Sequence, residues 1–552
     1  MSNTSRRAFF RGLGGLGGAS LVARAAASPE SGTRPRPGGP RERTAYELRA
    51  AAAGAESRRP PAAAITNGDE ALYPNLIASF TKGFLHTQLG EIDQSQGSYP
   101  ALLYALSTQQ HSDFEKIPIG YVRKMVNPES AFAYDLDGGD SHTFDMLPPP
   151  AFASAQAAAE MVELYWQALA RDVPFAEWSS SPVIQAAAAE LNKLSGYAGP
   201  RDASGQVTPD NLFRGTAAGC LVGPYVSQYL LQTIYFGSTP REQMYRTGVA
   251  GADYLTSYAE WLQIQDGIGP YRQEVFDPTY RYVHSGRDLA QFVHYDYTYQ
   301  SFLQAALIIL DSHPETLLHF NTYQLSNTNP YKTSRVQTGF TTFGQAHVMD
   351  LLARVSNIAL KPACWHKWAV HRRIRPEEFS GRVFNTLSGL AQYPIHGDLM
   401  NSKALQTMVQ STGGSLLPQA YVEGCPIHPS YPAGHAVIAG ACATILKAMF
   451  FEGALVSGAV APSADGLSLT SADGLGLTLG GELDKLAFNI PMGRDWAGIH
   501  YRSDVFEGLK LGEAVAISIL QDQVGCVTEG FAGFQFTRFD GTPVAITAEG
   551  SN

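Results

Sequence analysis

The sequence predicts a mainly α-helical bundle with long loops and few short strands. From about residue 155 onward, apolar residues recur with the spacing of three and four that places them on one helix face. The alternation typical of strands is sparse and confined to short pieces such as 532–538. No internal repeat is visible along the 552 residues, so a repeat architecture is not expected.

The N-terminus has the layout of a twin-arginine signal peptide over residues 1–27. Arg6 and Arg7 precede a mildly apolar, glycine-rich stretch at 12–22 and a small-residue stretch at 23–27. A disordered basic tail is the alternative. The signal predicts export to the periplasm or beyond. The apolar stretch is too short to span a bilayer, and no later run is long enough, so stable membrane insertion is not expected.

Residues 28–65 are rich in Pro, Arg, Gly, Ser and Ala, and they contain little that could be buried. Such a composition does not offset the entropy of an ordered chain, so we predict a flexible linker there. The remaining 66–552 then form one helical domain.

The first clear helix of this domain begins after Ser154, a favourable N-cap, and ends before Pro174. Its apolar side chains include Met161, Val162 and Tyr165. The same periodicity predicts further helices at 183–195, 221–235, 242–264, 288–312, 343–374, 434–451 and 507–522. A glycine-rich tract at 453–482 is expected to be a loop between the last two helical blocks.

Composition excludes some classes of function. The net charge of −10 argues against a nucleic-acid partner, which requires a basic surface. Five cysteines occur without the paired spacing of a zinc site. Charged residues make up 16% of the chain, below the roughly 25% typical of soluble domains, which is compatible with self-association.

Basic and imidazole side chains are concentrated in three segments of the C-terminal half, between about 360 and 510. The first, 365–377, contains Lys367 and Arg375, followed by Pro376. Proline disfavours helical geometry at the preceding residue, so we expect the helix to end there with both cations on its final turns. A solvated basic helix end is the alternative.

The second segment, 425–435, runs through two prolines into Gly434, His435 and an apolar helix. A helix N-terminus presents unpaired N–H groups to an anion, and glycine allows close approach of a ligand. His435 is placed to exchange protons with that anion. A helix entry with an ordinary core histidine is the alternative.

The third segment, 493–504, contains Arg494, His500 and Asp504. We expect His500 and Asp504 to be one turn apart at a helix start, where the carboxylate holds one imidazole nitrogen and leaves the other for a metal. Arg494 offers a planar charged fork to oxyanion oxygens. A surface ion-pair cluster is the alternative. Together the three segments predict an oxyanion site, and their spacing supports phosphate and vanadate equally.

The motifs Lys367-x7-Arg375-Pro376, Pro432-Ala-Gly-His435 and Arg494-x5-His500-x3-Asp504 resemble those of vanadium-dependent haloperoxidases and the related acid phosphatases. The longer string His428-Pro-Ser-Tyr-Pro-x-Gly-His435 is similar to the bromoperoxidase branch. The likeness extends from about residue 70 to the C-terminus. It implies the helical bundle of this superfamily and a vanadate cofactor.

The resemblance also implies a role for each matching residue. His500 would coordinate vanadium. The groups that would bind the vanadate oxygens are the side chains of Lys367, Arg375 and Arg494 and the backbone N–H of Gly434.

Proton transfer and support would come from other residues. The resemblance makes His435 the acid–base, Lys367 and His428 further groups of the catalytic site, and Asp504 the residue that orients His500. Asp296 is a weaker candidate, as an acid that pairs with Arg494. The implied reaction is oxidation of halide by hydrogen peroxide, bromide and iodide being favoured, with transfer to small organic acceptors. Family members commonly form dimers or larger homo-oligomers.

Ala433 departs from the family pattern, which usually has serine before the Gly-His pair. The missing hydroxyl would cost roughly 1.5–3 kcal/mol of binding to a charged oxyanion. Two alternatives stay open: an acid phosphatase on the same fold, and an oxyanion-binding protein without turnover. The seven residues between Lys367 and Arg375, where the phosphatases usually have six, favour the peroxidase.

Overall fold

The computed structural model describes residues 40–311, 324–548 and 550–551. The predicted signal peptide at 1–27 and the first part of the predicted linker, 28–39, lie outside the described residues. The described chain is mainly α-helical, as predicted. Its α-helices are α1 (Pro40–Glu56), α2 (Asp69–Leu72), α3 (Ser98–Thr108), α4 (His111–Phe114), α5 (Ala155–Ala170), α6 (Pro182–Leu191), α7 (Tyr258–Gln265), α8 (Gly286–Tyr295), α9 (Gln300–Leu310), α10 (Gln345–Cys364), α11 (Pro376–Leu387), α12 (Gly397–Met400), α13 (Lys403–Thr412), α14 (Gly434–Met449), α15 (Leu479–Trp496) and α16 (Arg502–Gln523).

The strands of the described residues are short and pair only antiparallel. They form the pairs β1 (Ile234–Phe236) with β2 (Thr239–Arg241) and β3 (Val460–Pro462) with β4 (Leu469–Ser471), and a three-stranded sheet of β5 (Phe534–Thr537), β6 (Pro543–Thr547) and β7 (Gly550–Ser551). The strand predicted at 532–538 is therefore confirmed as β5, in which alternate residues are buried.

The predicted linker at 28–65 is wrong for its central part, because 40–56 form the helix α1. Alanine, glutamate and arginine dominate this stretch, and these residues have high helix propensity. None of its side chains is buried. The described residues fall into two compact units, one ending at Ala53 and the other covering Gly54 onward.

Two predicted helices, 221–235 and 242–264, are also wrong. The first is an irregular segment that ends in β1, and only Tyr258–Gln265 of the second is α-helical. Buried amide side chains replace the helical hydrogen bonds here: Gln228 donates to the carbonyl of Val460, and Gln243 donates to the carbonyl of Tyr229, each over 2.8 Å. Apolar periodicity does not reveal such side-chain to backbone bonds.

The helix predicted at 288–312 is two helices, α8 and α9, interrupted at 296–299. The helix predicted at 343–374 is α10 followed by a π-helical turn, Trp365–His371. Ser154 caps α5, as predicted, by accepting a hydrogen bond from the backbone N–H of Ala157.

The core that positions the candidate site is built around α14, which packs on α10, α15 and α16. α14 and α16 approach closely at glycines: a Cβ at Gly440 would lie 2.2 Å from the carbonyl oxygen of Leu509, and one at Gly512 would lie 2.0 Å from that of Val437. The close approach therefore lies in the N-terminal half of both helices. Among the described helices, none combines the length and the apolar character needed to cross a membrane.

Candidate active site

Lys367 joins the first predicted motif to the second. It lies in the π-helical turn after α10 and is buried, and its Nζ donates to the carbonyl oxygens of Pro429 at 2.8 Å and Ser430 at 3.0 Å. An ammonium has three N–H donors, so one is left for a ligand. Burial, followed by the charge of Arg375, lowers the pKa of Lys367 well below its usual range.

Arg375 joins the second motif to the third and is fully buried. Its Nε donates to the carbonyl oxygen of His428 at 3.0 Å, and its Nη1 donates to that of Ile499 at 2.8 Å. Its Nη1 also lies 2.9 Å from Nε2 of His500, and its Nη2 lies 2.9 Å from Nδ1 of His428. One guanidinium thus contacts two of the three predicted histidines, His428 and His500.

The prediction that Lys367 and Arg375 share a helix end is wrong. The chain leaves the π-helical turn at Arg372, which has a φ of +42°, and Arg375 is the N-cap of α11. Pro376 does bound a helix, but as the first residue of the next one, where proline has no N–H to leave unpaired.

His500 is held by Asp504, as predicted, with 2.8 Å between Nδ1 and a carboxylate oxygen. His500 itself precedes α16, and Asp504 lies in the first turn of that helix. Burial alone would raise the pKa of Asp504, but Arg373 and His500 hold it well below its usual range. The carboxylate therefore takes the N–H of Nδ1, and Nε2 carries a lone pair. Burial and Arg375 lower the pKa of His500 well below its usual value, so the ring is neutral.

His435 is the second residue of α14, and 27% of its side chain is exposed. Its Nε2 lies 3.0 Å from a carboxylate oxygen of the buried Asp296. The prediction that Asp296 pairs with Arg494 is wrong. The break between α8 and α9 places Asp296 against His435 instead.

Arg494 lies in the last turn of α15 and is buried. Its Nη1 donates to the carbonyl oxygen of Val293 at 2.8 Å and lies 3.3 Å from the hydroxyl of Tyr421. Its Nε is buried and has no hydrogen-bond partner in the described part of the chain. A buried N–H without a partner is rare and costly, which indicates that a ligand completes this site.

The electrostatics of the pocket require an anion. Within residues 40–311 and 324–548, Lys367, Arg375 and Arg494 have no carboxylate within ion-pair distance, although all three are buried. Arg373 and Arg502, which are buried nearby, each pair with carboxylates. Buried charges are ordinarily paired, because the loss of hydration costs roughly several kcal/mol for each ion.

The N-terminus of α14 provides space and donors for this anion. Ala433 is the N-cap, and no side chain caps the helix. A Cβ at Gly434 would meet only the Leu360 side chain, at 3.7 Å, so there is open space next to the Cα of this residue. These residues fit a small oxyanion whose central atom accepts a lone pair from the neutral imidazole of His500.

Three supporting residues were missed by the sequence analysis. Arg373 donates to Asp504 at 2.7 Å, the Ser430 hydroxyl also donates to Asp504, and Tyr421 lies beside Arg494. Arg373 and Ser430 stand inside two of the predicted motifs, and their burial was the missing information. His428 is half-buried and contacts Arg375, and burial, with Lys367 and Arg375, lowers its pKa well below the usual value.

Comparisons with known proteins point to one family. The model of the VCPO second helical-bundle domain matches residues 360–527, which contain all three motifs. The chain is 32% identical to the vanadium-dependent bromoperoxidase of Corallina pilulifera, over 92% of the chain and 98% of that protein. It is 33% identical to the one of Ascophyllum nodosum, over 94% of each.

A solved structure agrees with these relatives. The homohexameric second vanadate-dependent bromoperoxidase from Ascophyllum nodosum is similar with a TM-score of 0.85 and 28% identity, over 96% of each chain. The similarity thus includes the fold, the whole length and the site-bearing helices. The chain belongs to the family of vanadium-dependent bromoperoxidases.

Proposed function

We propose that this protein uses a bound vanadate ion to catalyse the oxidation of bromide and iodide by hydrogen peroxide, giving hypohalous acid that halogenates small organic acceptors. One observation carries the proposal. Three buried cations without carboxylate partners in the described chain, Lys367, Arg375 and Arg494, belong to the same site as the neutral His500.

The residues of the pocket suggest how the anion would be held. The vanadate oxygens would be bound by the free N–H of Lys367, by Arg375 and Arg494, and by the backbone N–H of Gly434. His500 would coordinate vanadium through Nε2. Because Nε2 now accepts from Nη1 of Arg375 over 2.9 Å, coordination must replace that hydrogen bond.

Bound vanadate would supply a Lewis-acidic centre that activates hydrogen peroxide for attack by halide. His435 would accept the proton that hydrogen peroxide loses. Since its Nε2–H is donated to Asp296, Nδ1 is the nitrogen that can accept a proton from hydrogen peroxide. The partial exposure of His435 leaves it within reach of solvent, where the proton can be released.

Lys367 would assist through its ammonium charge, which a bound anion would stabilise against the effect of burial. Two carbonyl oxygens orient its ammonium, so little reorganisation is needed when charge shifts during halide attack. His428 would tune the pocket through its contact with Arg375. His428 stands in the sequence segment that resembles the bromoperoxidase branch, and this is the reason for proposing bromide and iodide rather than chloride.

The test is reconstitution with orthovanadate followed by bromination of an indicator phenol in the presence of bromide and hydrogen peroxide. We expect activity to rise in proportion to bound vanadate. His500→Ala should lose both vanadate retention and activity, whereas His111→Ala, which changes an exposed histidine paired with Glu129, should lose neither.

Two results would contradict the proposal. Vanadate bound at one equivalent without bromination would indicate a binding protein without turnover. Hydrolysis of a phosphate monoester by the vanadate-free protein, lost in His500→Ala, would instead indicate a phosphatase.

We also propose that copies of this chain associate. The similar structure from Ascophyllum nodosum is a homohexamer, and only 16% of the residues of this chain are charged. Light scattering coupled to size-exclusion chromatography would measure the assembly, and a strictly monomeric mass would contradict it.

Export by the twin-arginine pathway is a further proposal. It is supported by Arg6, Arg7 and the small-residue stretch at 23–27. Replacing both arginines with lysine should retain the protein in the cytoplasm, as measured by cell fractionation. Unchanged export would contradict this proposal.

A further inference from the structure

A second group of side chains that can bind a metal lies near the vanadate pocket, from which it is separated by the ring of Tyr421. His294, in the last turn of α8, stacks on Tyr421 with 3.7 Å between ring centroids and an interplanar angle of 8°. The hydroxyl of Tyr421 lies 3.3 Å from Nη1 of Arg494. Glu274 and Glu423 flank His294 on opposite ring nitrogens, at 2.9 Å from Nδ1 and 2.8 Å from Nε2.

Two atoms of this group are buried without a hydrogen bond. They are Oε1 of Glu274 and Nδ1 of His294. The two atoms lie 2.9 Å apart, which is an ion-pair distance, but their contact does not have the geometry of a hydrogen bond. Only 8% of the Glu274 side chain and 11% of the His294 side chain are exposed. Buried polar atoms of this kind indicate a missing water or ion.

The ligand atoms are close enough for one cation. One nitrogen of His294 and one oxygen each of Glu274 and Glu423 all lie within 4.8 Å of one another. Zinc binds histidine nitrogen and carboxylate oxygen at about 2.0–2.2 Å, so two of its ligands can lie up to roughly 4.4 Å apart. Small side-chain shifts would bring the three atoms to that spacing.

Neighbouring residues hold the carboxylate of Glu274 and the backbone of Glu423 in place. The Tyr295 hydroxyl donates to Oε2 of Glu274 at 2.7 Å, which leaves Oε1 for the cation. The backbone carbonyl of Glu423 accepts from Nζ of Lys82 at 2.9 Å and from Arg123 at 3.1 Å. Such outer contacts are typical of metal sites, because they fix the direction of each ligand.

We propose that Glu274, His294 and Glu423 bind one divalent transition-metal ion of the class that accepts mixed imidazole and carboxylate ligands, with Zn²⁺ as the best fit. Imidazole favours zinc over magnesium and calcium, and three protein ligands leave a position for water. The cation would link the end of α8, which leads into Asp296, to the chain segment before the second motif. This site is separate from the vanadate pocket and does not depend on the peroxidase activity.

The competing arrangement is a metal-free one, in which a protonated His294 is held between the two carboxylates. The two arrangements differ in what happens when zinc is added. A metal site binds one equivalent and releases the imidazole proton, because only the neutral ring is a ligand. If the metal-free arrangement is the stable one, the protein retains no zinc at this place and releases no proton when zinc is added.

The experiment is equilibrium dialysis of the untagged full-length protein against Zn²⁺, with bound zinc measured by elemental analysis. Co²⁺ replaces Zn²⁺ in a parallel absorption experiment, because its visible spectrum reports the ligand geometry. We expect one equivalent of metal in the unchanged protein. Glu274→Gln and Glu423→Gln should each weaken zinc binding at least tenfold.

Two controls isolate the site. Glu242→Gln changes an exposed glutamate that accepts from Tyr282, and it should bind zinc like the unchanged protein. His500→Ala removes the histidine of the vanadate pocket and should also keep its zinc. Circular dichroism checks that each variant is folded, and proton release on zinc addition to the unchanged protein gives a readout that needs no variant. Less than a tenth of an equivalent of zinc in the unchanged protein, or zinc affinity in both glutamine variants equal to that of the unchanged protein, would overturn the proposal.

Discussion

The Asp296 carboxylate lies 3.0 Å from Nε2 of His435, and no other carboxylate of the described chain forms an ion pair with that imidazole. The contact sets the chemistry of the ring. It fixes the N–H on Nε2 and leaves Nδ1 as the proton acceptor. Asp296 is thus a positioning residue that acts through His435.

Asp296→Asn should slow turnover while leaving vanadate bound. An amide keeps the size of the carboxylate but can turn its own N–H toward Nε2, so His435 loses the acceptor that fixes its N–H there and leaves Nδ1 free. We expect kcat to fall by about 10- to 100-fold, less than the roughly 100- to 10,000-fold attributed to general acid–base catalysis as a whole, because His435 itself remains. Steady-state bromination kinetics and vanadate dialysis would measure the two effects. Asp277→Asn, on an exposed loop, is the control and should change neither.

Asp504→Asn should weaken vanadate binding. The carboxylate now fixes the N–H of His500 on Nδ1, and an amide can turn its own N–H toward that nitrogen. We expect the Kd for vanadate to rise by about 10- to 100-fold, as is common for residues that orient a metal ligand. Stability should also fall, by about 3 kcal/mol, because Arg373 loses one of its buried partners.

A matched control separates these two effects. Asp484 is also a largely buried carboxylate, paired with Lys447 at 2.9 Å and away from the pocket. Asp484→Asn should lower the free energy of unfolding without changing the vanadate Kd. An equal loss of vanadate affinity in both variants would show that Asp504 acts only through stability.

The candidate site was more predictable from the sequence than the fold around it. Lys367, Arg375, Gly434, His435 and His500 stand in three short motifs, so their residue types and spacing carried the prediction. The pairing of Asp296 could not be predicted, because it depends on where the chain breaks between α8 and α9. The irregular segments at 221–235 and 242–257 were wrongly predicted as helices, because apolar periodicity does not show that buried glutamine side chains bond the backbone there.

Ala433→Ser should strengthen vanadate binding and stabilise the protein, by two separate hydrogen bonds. The new hydroxyl can accept from a free N–H in the first turn of α14, whose N-cap now has no side-chain bond, for about 1 kcal/mol. It can also donate to an oxygen of the anion, for roughly 1.5–3 kcal/mol, which predicts at least a tenfold lower Kd. Urea unfolding without vanadate measures the first contribution, and dialysis measures the second.

The outcome for Ala433→Ser also tests the geometry of the pocket. Ala433→Gly lacks the hydroxyl and should not tighten vanadate binding. If the serine variant gains stability but no affinity, the hydroxyl caps α14 without reaching the anion, and the departure from the family pattern at this position is without consequence for the cofactor.

Two glycines on neighbouring helices should respond differently to alanine: one substitution should lower stability, and the other should weaken vanadate binding. At Gly512 the added Cβ would lie 2.0 Å from the carbonyl oxygen of Val437, and backbone atoms on α14 cannot yield without moving the helix. We therefore expect Gly512→Ala to lower the free energy of unfolding by about 3 kcal/mol.

At Gly434 the Cβ would meet only Leu360, at 3.7 Å, so Gly434→Ala should leave the vanadate-free protein equally stable. The same methyl group would fill the open space next to this Cα at the start of α14, and vanadate binding should weaken at least tenfold. Urea unfolding and vanadate dialysis of both variants check these expectations, and unchanged vanadate affinity in Gly434→Ala would remove the start of α14 from the binding site.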